Sequence, residues 1–279
     1  MIPIGLNLTS IGVSSAWWRE SARQAEQAGY SAVWCWDHFV SRGTDRARPV
    51  LECWTTLTAA AAATDRLRVG SFVSNVMNRH PAVLARVVAT LSEQSGGRIE
   101  VGLGVGGYQP EMDAYGINFP EPAARAERLE EAAEVMRRLW TGGPVDFAGR
   151  HFRLSAAWAH PAPSPAPRII VGGEKPAGAR LAARAGDAWT TNAADYERLL
   201  PVHLEELERV GRRRADVAHL LAVELDRDRS SGAQPLLEDM AGFAAEWQAR
   251  GADELVVSWV RPVDLPALLE AAARADLAG

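Results

Sequence analysis

Ser31-Ala32-Val33-Trp34-Cys35-Trp36-Asp37-His38-Phe39 starts as an apolar, aromatic run and ends with an acid and an imidazole side by side. Gly29 lies just upstream, and a short apolar run bounded by a glycine reads as a buried strand. In parallel α/β proteins, ligands and chemistry gather beyond the carboxyl ends of the strands. Asp37-His38 is therefore a candidate site. The rest of the chain shows whether further strands of the same kind surround it.

Upstream, residues 2–8 read as a first strand, and Ser14 or Ser15 caps the helix that follows. Downstream come an Ala-rich helix over 52–64, a third strand over 66–73 and a helix opened by Pro81, where a missing N–H costs nothing. Ile99, Val101, Leu103 and Val105 alternate as a fourth strand running into Gly106-Gly107. A helix over 121–140 and an irregular Pro- and Gly-rich connection over 141–167 precede a fifth strand, 168–173. Strands over 187–191, 220–225 and 254–259 alternate with helices over 176–185, 196–210, 236–250 and 265–275, with a Ser/Gly linker after the seventh strand. Eight strands, each followed by a helix, predict an α/β fold: one (β/α)8 TIM barrel over 1–279, with insertions at its C-terminal face.

Composition removes several function classes. A net charge of -5 provides no basic field for nucleic acid. No uncharged apolar run is long enough to span a membrane, and the N-terminus lacks the pattern of a signal peptide, so a cytoplasmic protein is expected. Cys35 and Cys53 form no C-x-x-C pair and the histidines lack zinc-helix spacing, so no metal site is expected. No G-x-S-x-G elbow is present for serine hydrolysis.

The strand ends nominate particular residues. The imidazole of His38 can donate or accept a proton, with Asp37 to orient it or to bind a cofactor. Gly172-Gly173 ahead of Pro176 lets backbone approach a phosphate at a helix start, and Lys175 in that loop can pair with the charge. Trp36, Trp189 and Trp259 fall near strand ends and can wall an apolar substrate pocket. Asn7, at the end of the first strand, is a further candidate for substrate contact.

Several segments together resemble the luciferase-like monooxygenases. They are Gly29 to Trp34 into Asp37-His38-Phe39, Arg79-His80-Pro81, Ser95-Gly96-Gly97-Arg98 with Gly102-Leu103-Gly104, Gly149-Arg150-His151-Phe152, Ile170-Val171-Gly172-Gly173 and Ala185-Gly186-Asp187. Each is weak alone, but they occur in the family's order and spacing from Ile4 to about Asn192. That superfamily includes bacterial luciferase, FMN-dependent alkanesulfonate monooxygenases and oxidoreductases that use the deazaflavin coenzyme F420.

The resemblance implies a flavin or deazaflavin at the barrel mouth, and a homodimer. It places the ring on a bulge at the end of the third strand, made by a cis peptide whose counterpart here is Phe72-Val73, with Asn75 just beyond. It brings the ring or ribityl chain near Gly106, Gly107 and Tyr108, with Glu111 further on, and the phosphate near Gly172-Gly173.

Val73-Ser74-Asn75 leading to Arg79-His80-Pro81 is closer to the F420 branch. The implied function is hydride transfer between F420 and a small molecule; the alternatives are an FMN-dependent monooxygenase and a non-catalytic flavin-binding protein. The sugar-phosphate dehydrogenases of that branch carry a Glu after the fourth-strand glycines, where Tyr108 stands here. The chain also has a single lysine, Lys175. An apolar or aromatic carbonyl, imine or activated alkene is the expected substrate class.

Overall fold

The computed structural model describes residues 1–42, 45–225 and 233–278. The first three strand–helix pairs and the fourth strand run β1 (Ile4–Leu8), α1 (Ser15–Gln27), β2 (Ala32–Cys35), α2 (Cys53–Ala61), β3 (Arg68–Asn75), α3 (Pro81–Ser95) and β4 (Ile99–Gly104). A short helix α4 (Gln109–Ala114), a long one α5 (Pro122–Leu139) and a hairpin of β5 (Val145–Ala148) and β6 (Arg153–Ala157) come before the next barrel strand. The chain then continues through β7 (Arg168–Gly172), α6 (Pro176–Ala185), β8 (Ala188–Asn192), α7 (Ala193–Arg209) and β9 (Ala218–Glu224). It closes with α8 (Ala233–Glu238), α9 (Met240–Ala249), β10 (Glu254–Val260) and α10 (Leu265–Arg274).

Eight parallel strands close a barrel in the order β1-β2-β3-β4-β7-β8-β9-β10, with β10 returning to β1. The segment expected to be irregular, 141–167, contains the antiparallel β5–β6 hairpin. The predicted helix over 236–250 is two helices broken at Asp239. The Ser/Gly linker predicted after the seventh strand falls largely on 226–232, outside the described residues.

Local chemistry sets the ends of these elements. The Ser14 side chain accepts the Trp17 amide at 3.1 Å, so Ser14 caps α1. Pro81 occupies the first turn of α3, and Gly96 ends that helix with φ of 67°, a conformation open to a residue without Cβ.

Side chains alternate across each barrel strand, so odd and even positions serve two different cores. The outward set packs against the helices, whereas Ala32, Trp34, Phe72, Ile170, Ala188, Leu220, Ala222 and Val256 fill the barrel. Below them lies a floor of four charges. Arg68 and Arg168 each reach Glu100 at 2.7 Å, and both also bond Glu254, so two acids and two guanidinium groups neutralise one another. Charges this deeply placed persist only when paired, and leaving one partner alone costs about 3–5 kcal/mol. With the floor sealed, the opposite, C-terminal end is left for chemistry.

Candidate active site

At the end of β3 the alternation breaks. The pairing of β3 with β4 shifts between Ser71 and Ser74, and the Phe72–Val73 peptide is cis. Both Phe72 and Val73 consequently join the interior cluster. The neighbouring strands offer no side chains against this bulge: a Cβ at Gly102 would lie 2.8 Å from Val73 Cγ1, one at Gly104 2.6 Å from Val73 Cγ2, and one at Gly172 3.3 Å from the same atom. Glycine is needed at the first two positions for lack of space. Beyond the bulge, Asn75 Oδ1 accepts the Met77 amide at 3.0 Å, and its amide group lies under Gly106.

His38 leaves the end of β2 half-buried and turns towards α4. Its Nδ1 lies 2.9 Å from Oε2 of Glu111, a buried carboxylate 73 residues away in sequence. The other oxygen, Oε1, accepts the amides of Phe39 at 2.6 Å and Val40 at 3.1 Å. Burial alone would raise the Glu111 carboxyl; the hydrogen bond and charge of His38 and the two amides outweigh it and hold the pKa below the ordinary value. An ionised Glu111 can only accept, so Nδ1 carries the proton in this bond and Nε2 is left as the nitrogen free to exchange one.

Asp37 does not orient that imidazole. Its Oδ2 bonds Arg79 at 2.6 Å, Arg79 also holds Glu52 at 2.5 Å, and the Asn78 side chain donates to the Asp37 carbonyl at 3.1 Å. The other carboxylate oxygen is buried with no partner. Side chains on successive residues of an extended segment point to opposite sides, so when His38 faces α4, Asp37 faces the start of α3. It buttresses the wall beside Arg79, and the expectation that it orients His38 is corrected to that role.

The three tryptophans divide. Trp36 and Trp259 meet edge to face at the mouth, and the Trp36 ring stands 5.4 Å from the His38 ring. Asn7 is buried behind them; its amide donates to the Trp34 carbonyl at 3.2 Å and accepts from Trp36 Nε1 at 2.6 Å, so it fixes the Trp36 ring. Trp259 holds a φ of 63°, which a bulky residue seldom adopts. Trp189 is not a wall of the mouth. Ala188 points into the barrel, so Trp189 points outward, fully buried against His203 and Tyr196, and donates to the Gly173 carbonyl at 3.1 Å.

Gly173 in turn packs on Gly178 of α6, and its amide bonds the Thr190 carbonyl at 2.9 Å. Gly172 and Gly173 thus form a close strand-to-helix turn. Lys175 at the N-cap of α6 is exposed and forms no ion pair among the described residues. Tyr108 stands at the rim, its hydroxyl 3.3 Å from Arg46 and its ring 5.4 Å from the Arg42 guanidinium. Gly107 is exposed, with open space where a Cβ would sit. Glu111 and Arg79 are the residues whose roles only the structure assigned. Their sequence signal is no more than a charged residue close to a strand end.

A bulge on glycines, a pinned imidazole and an aromatic wall thus meet at one barrel mouth. The model of one family, the luciferase-like monooxygenases, matches residues 11–234. The chain belongs to that family. Among curated luciferase-like relatives, an F420-dependent glucose-6-phosphate dehydrogenase of Intrasporangium calvum is 33% identical over 237 residues, which cover 77% of this chain and 70% of that one. An F420-dependent hydroxymycolic acid dehydrogenase of Mycobacterium tuberculosis is 34% identical over 178 residues, covering 62% of this chain and 48% of that one. Further F420-dependent glucose-6-phosphate dehydrogenases match over 61% to 65% of their own length, so the chain spans about two thirds of such relatives. Among solved luciferase-like barrels, an F420-dependent secondary alcohol dehydrogenase in complex with an F420-acetone adduct superposes with a TM-score of 0.82. It covers 97% of this chain and 99% of that one at 22% identity, which speaks for the fold. Among the described residues no helix is long and apolar enough to cross a membrane.

Proposed function

We propose that this chain is a coenzyme F420-dependent oxidoreductase that moves a hydride between the deazaflavin and a small, apolar or aromatic substrate, with His38 as the proton-exchanging residue. The observation that carries this reading is the His38–Glu111 pair at 2.9 Å, placed at the mouth of a barrel whose curated relatives are named for F420-dependent reactions. The residues present suit a flat ring. Val73 stands on the glycines of β4 and β7, and Gly106 and Gly107 add no side chain above it. Phe72, Val73, Asn75, Gly106, Gly107 and Tyr108 would hold the ring and ribityl chain, and Gly172, Gly173 and Lys175 the phosphate.

A bound deazaflavin supplies or takes up the hydride. The chain's own share is positional and acid–base. Glu111 fixes the imidazole so that Nε2 gives a proton to an oxygen being reduced or takes one from a hydroxyl being oxidised. Trp36 and Trp259 present apolar surface beside that nitrogen, which favours a substrate with an aliphatic or aromatic body. The nearby cation Arg79 is committed to Asp37 and Glu52. The same reading carries a homodimer in the cytoplasm, testable by light scattering and by fractionation.

Parallel titration of the protein with F420 and FMN, each oxidised and reduced, tests the proposal. Tight F420 with weak FMN binding, and loss of turnover in His38→Ala, is the expected result. Preference for reduced FMN with oxygen consumption on adding substrate would replace the reading with a monooxygenase, and binding of neither would end it.

A further inference from the structure

The loop that follows β4 is held from outside the barrel by one guanidinium. Arg125, in the first turn of α5, donates through Nη1 to the carbonyls of Val105 at 3.0 Å and Gly106 at 2.8 Å. Its guanidinium carbon lies 3.9 Å from the centre of the Phe119 ring. It forms no ion pair with a described residue, so two carbonyl dipoles and an aromatic face answer its charge. Burial lowers the Arg125 pKa and the charge of Glu121 raises it in part, with a net value below the ordinary one. A partly buried cation with no carboxylate in ion-pair contact among the described residues is retained at a cost, which points to a task.

Peptide geometry indicates the task. In a trans peptide the C=O of one residue and the N–H of the next point in opposite directions. Turning the Val105 and Gly106 carbonyls onto Arg125 therefore turns the Gly106 and Gly107 amides away from it. Neither amide has an acceptor among the described residues, although the amides of strand β4 just before them are paired in the barrel. Gly106 has a φ of 73°, and a side chain there would collide with the Asn75 amide group. Two successive amides freed in this way form a concave donor pair, suited to an oxygen carrying partial or full negative charge.

We propose that Arg125 is a positioning residue that presents the Gly106 and Gly107 amides to an acceptor oxygen of the bound cofactor. The proposal rests on the reading of this mouth as a deazaflavin site and adds what orients that part of it. The oxygen belongs to the cofactor in this proposal, not to the substrate, because Gly106 packs on Asn75, two residues beyond the Val73 bulge.

The test compares the wild-type protein with Arg125→Met, which keeps most of the volume, and Arg125→Lys, which keeps a donor. F420 affinity is read by fluorescence, the Gly106 and Gly107 amides by hydrogen exchange, and stability by Tm. Expected are slowing of both amides when F420 alone binds the wild type, a Kd raised about tenfold or more in Arg125→Met at a Tm close to wild type, and partial recovery in Arg125→Lys. A Kd within twofold of wild type in Arg125→Met, or amides that slow only when substrate is added, would overturn the proposal and leave the functional reading standing. A Tm that falls with no recovery in Arg125→Lys would reduce Arg125 to a packing residue, which also overturns it. A wild-type protein that binds no F420 would overturn the functional reading itself, and this proposal with it.

Discussion

His203 and His219 make the stability of this barrel depend on pH. Both are fully buried between β8, β9 and α7, their rings 4.9 Å apart, with Trp189 stacked on His203 at 4.4 Å. His203 Nδ1 donates to the Ala179 carbonyl at 2.9 Å, and His219 Nδ1 meets the Tyr196 hydroxyl at 2.8 Å. Burial lowers the His203 pKa to about 4, with the Ala179 carbonyl opposing and the charges of Arg214 and Arg212 adding to the effect. Burial, then the charges of Arg214 and His203, lower that of His219 to about 2.

The folded protein thus keeps both rings neutral while the unfolded chain takes up protons near pH 6.5. Their contribution to stability is whole above about pH 6.5 and drains away as the pH falls towards the folded values. From pH 7.5 to pH 5 the loss comes to about 4 kcal/mol for the two groups. That is a large part of the 5–15 kcal/mol that typically separates folded from unfolded states. Urea unfolding at a series of pH values measures it directly. The double variant His203→Asn/His219→Asn keeps a donor near each Nδ1 position but does not titrate. It should be less stable than wild type at pH 7.5 and show a much flatter pH dependence. An unchanged slope in the double variant would refute the assignment to these rings.

Three further outcomes follow from the mouth itself. Glu111→Gln keeps an acceptor for the Phe39 and Val40 amides but loses the charge facing His38, and a charge-assisted bond contributes about 1.5–3 kcal/mol. Turnover should fall about 10- to 100-fold with F420 affinity within about twofold of wild type; full turnover would show that the carboxylate does not orient the imidazole. Because the Glu111 pKa is held down in the folded state, its contribution to stability is present above about pH 4.5 and lost as the pH falls through the folded value, a loss that Glu111→Gln should remove. Gly102→Ala would drive a methyl into the Ser71 carbonyl and to 2.8 Å from Val73 Cγ1. Overpacking of this kind costs about 1–3 kcal/mol, so the Tm should drop and F420 binding weaken together; a variant with both unchanged would show that the bulge has room to move.

The barrel could be read from the chain because its signals are local. Alternating Ile99, Val101 and Leu103, Pro81 at a helix start and glycines at the turns each act within a few residues. The β5–β6 hairpin escaped such reading because only Val145 and Phe147 of its strand residues are buried, too few to stand out among Pro and Gly. The six-residue α4 is shorter than any periodicity can reveal.

At the site, sequence determined which residues stand at the strand ends: His38, the Val73 bulge position and the glycines of β4 and β7. What each one touches was decided by closure of the barrel. Closure set Glu111 beside His38, gave Asp37 to Arg79, aimed Trp189 outward while Trp36 and Trp259 lined the mouth, and laid Arg125 under the Gly106 carbonyl. The reason is distance along the chain. Hydrophobic patterning tells each residue which side of its own strand or helix it faces, whereas hydrogen bonds and ion pairs depend on a second element whose approach only the assembled barrel defines.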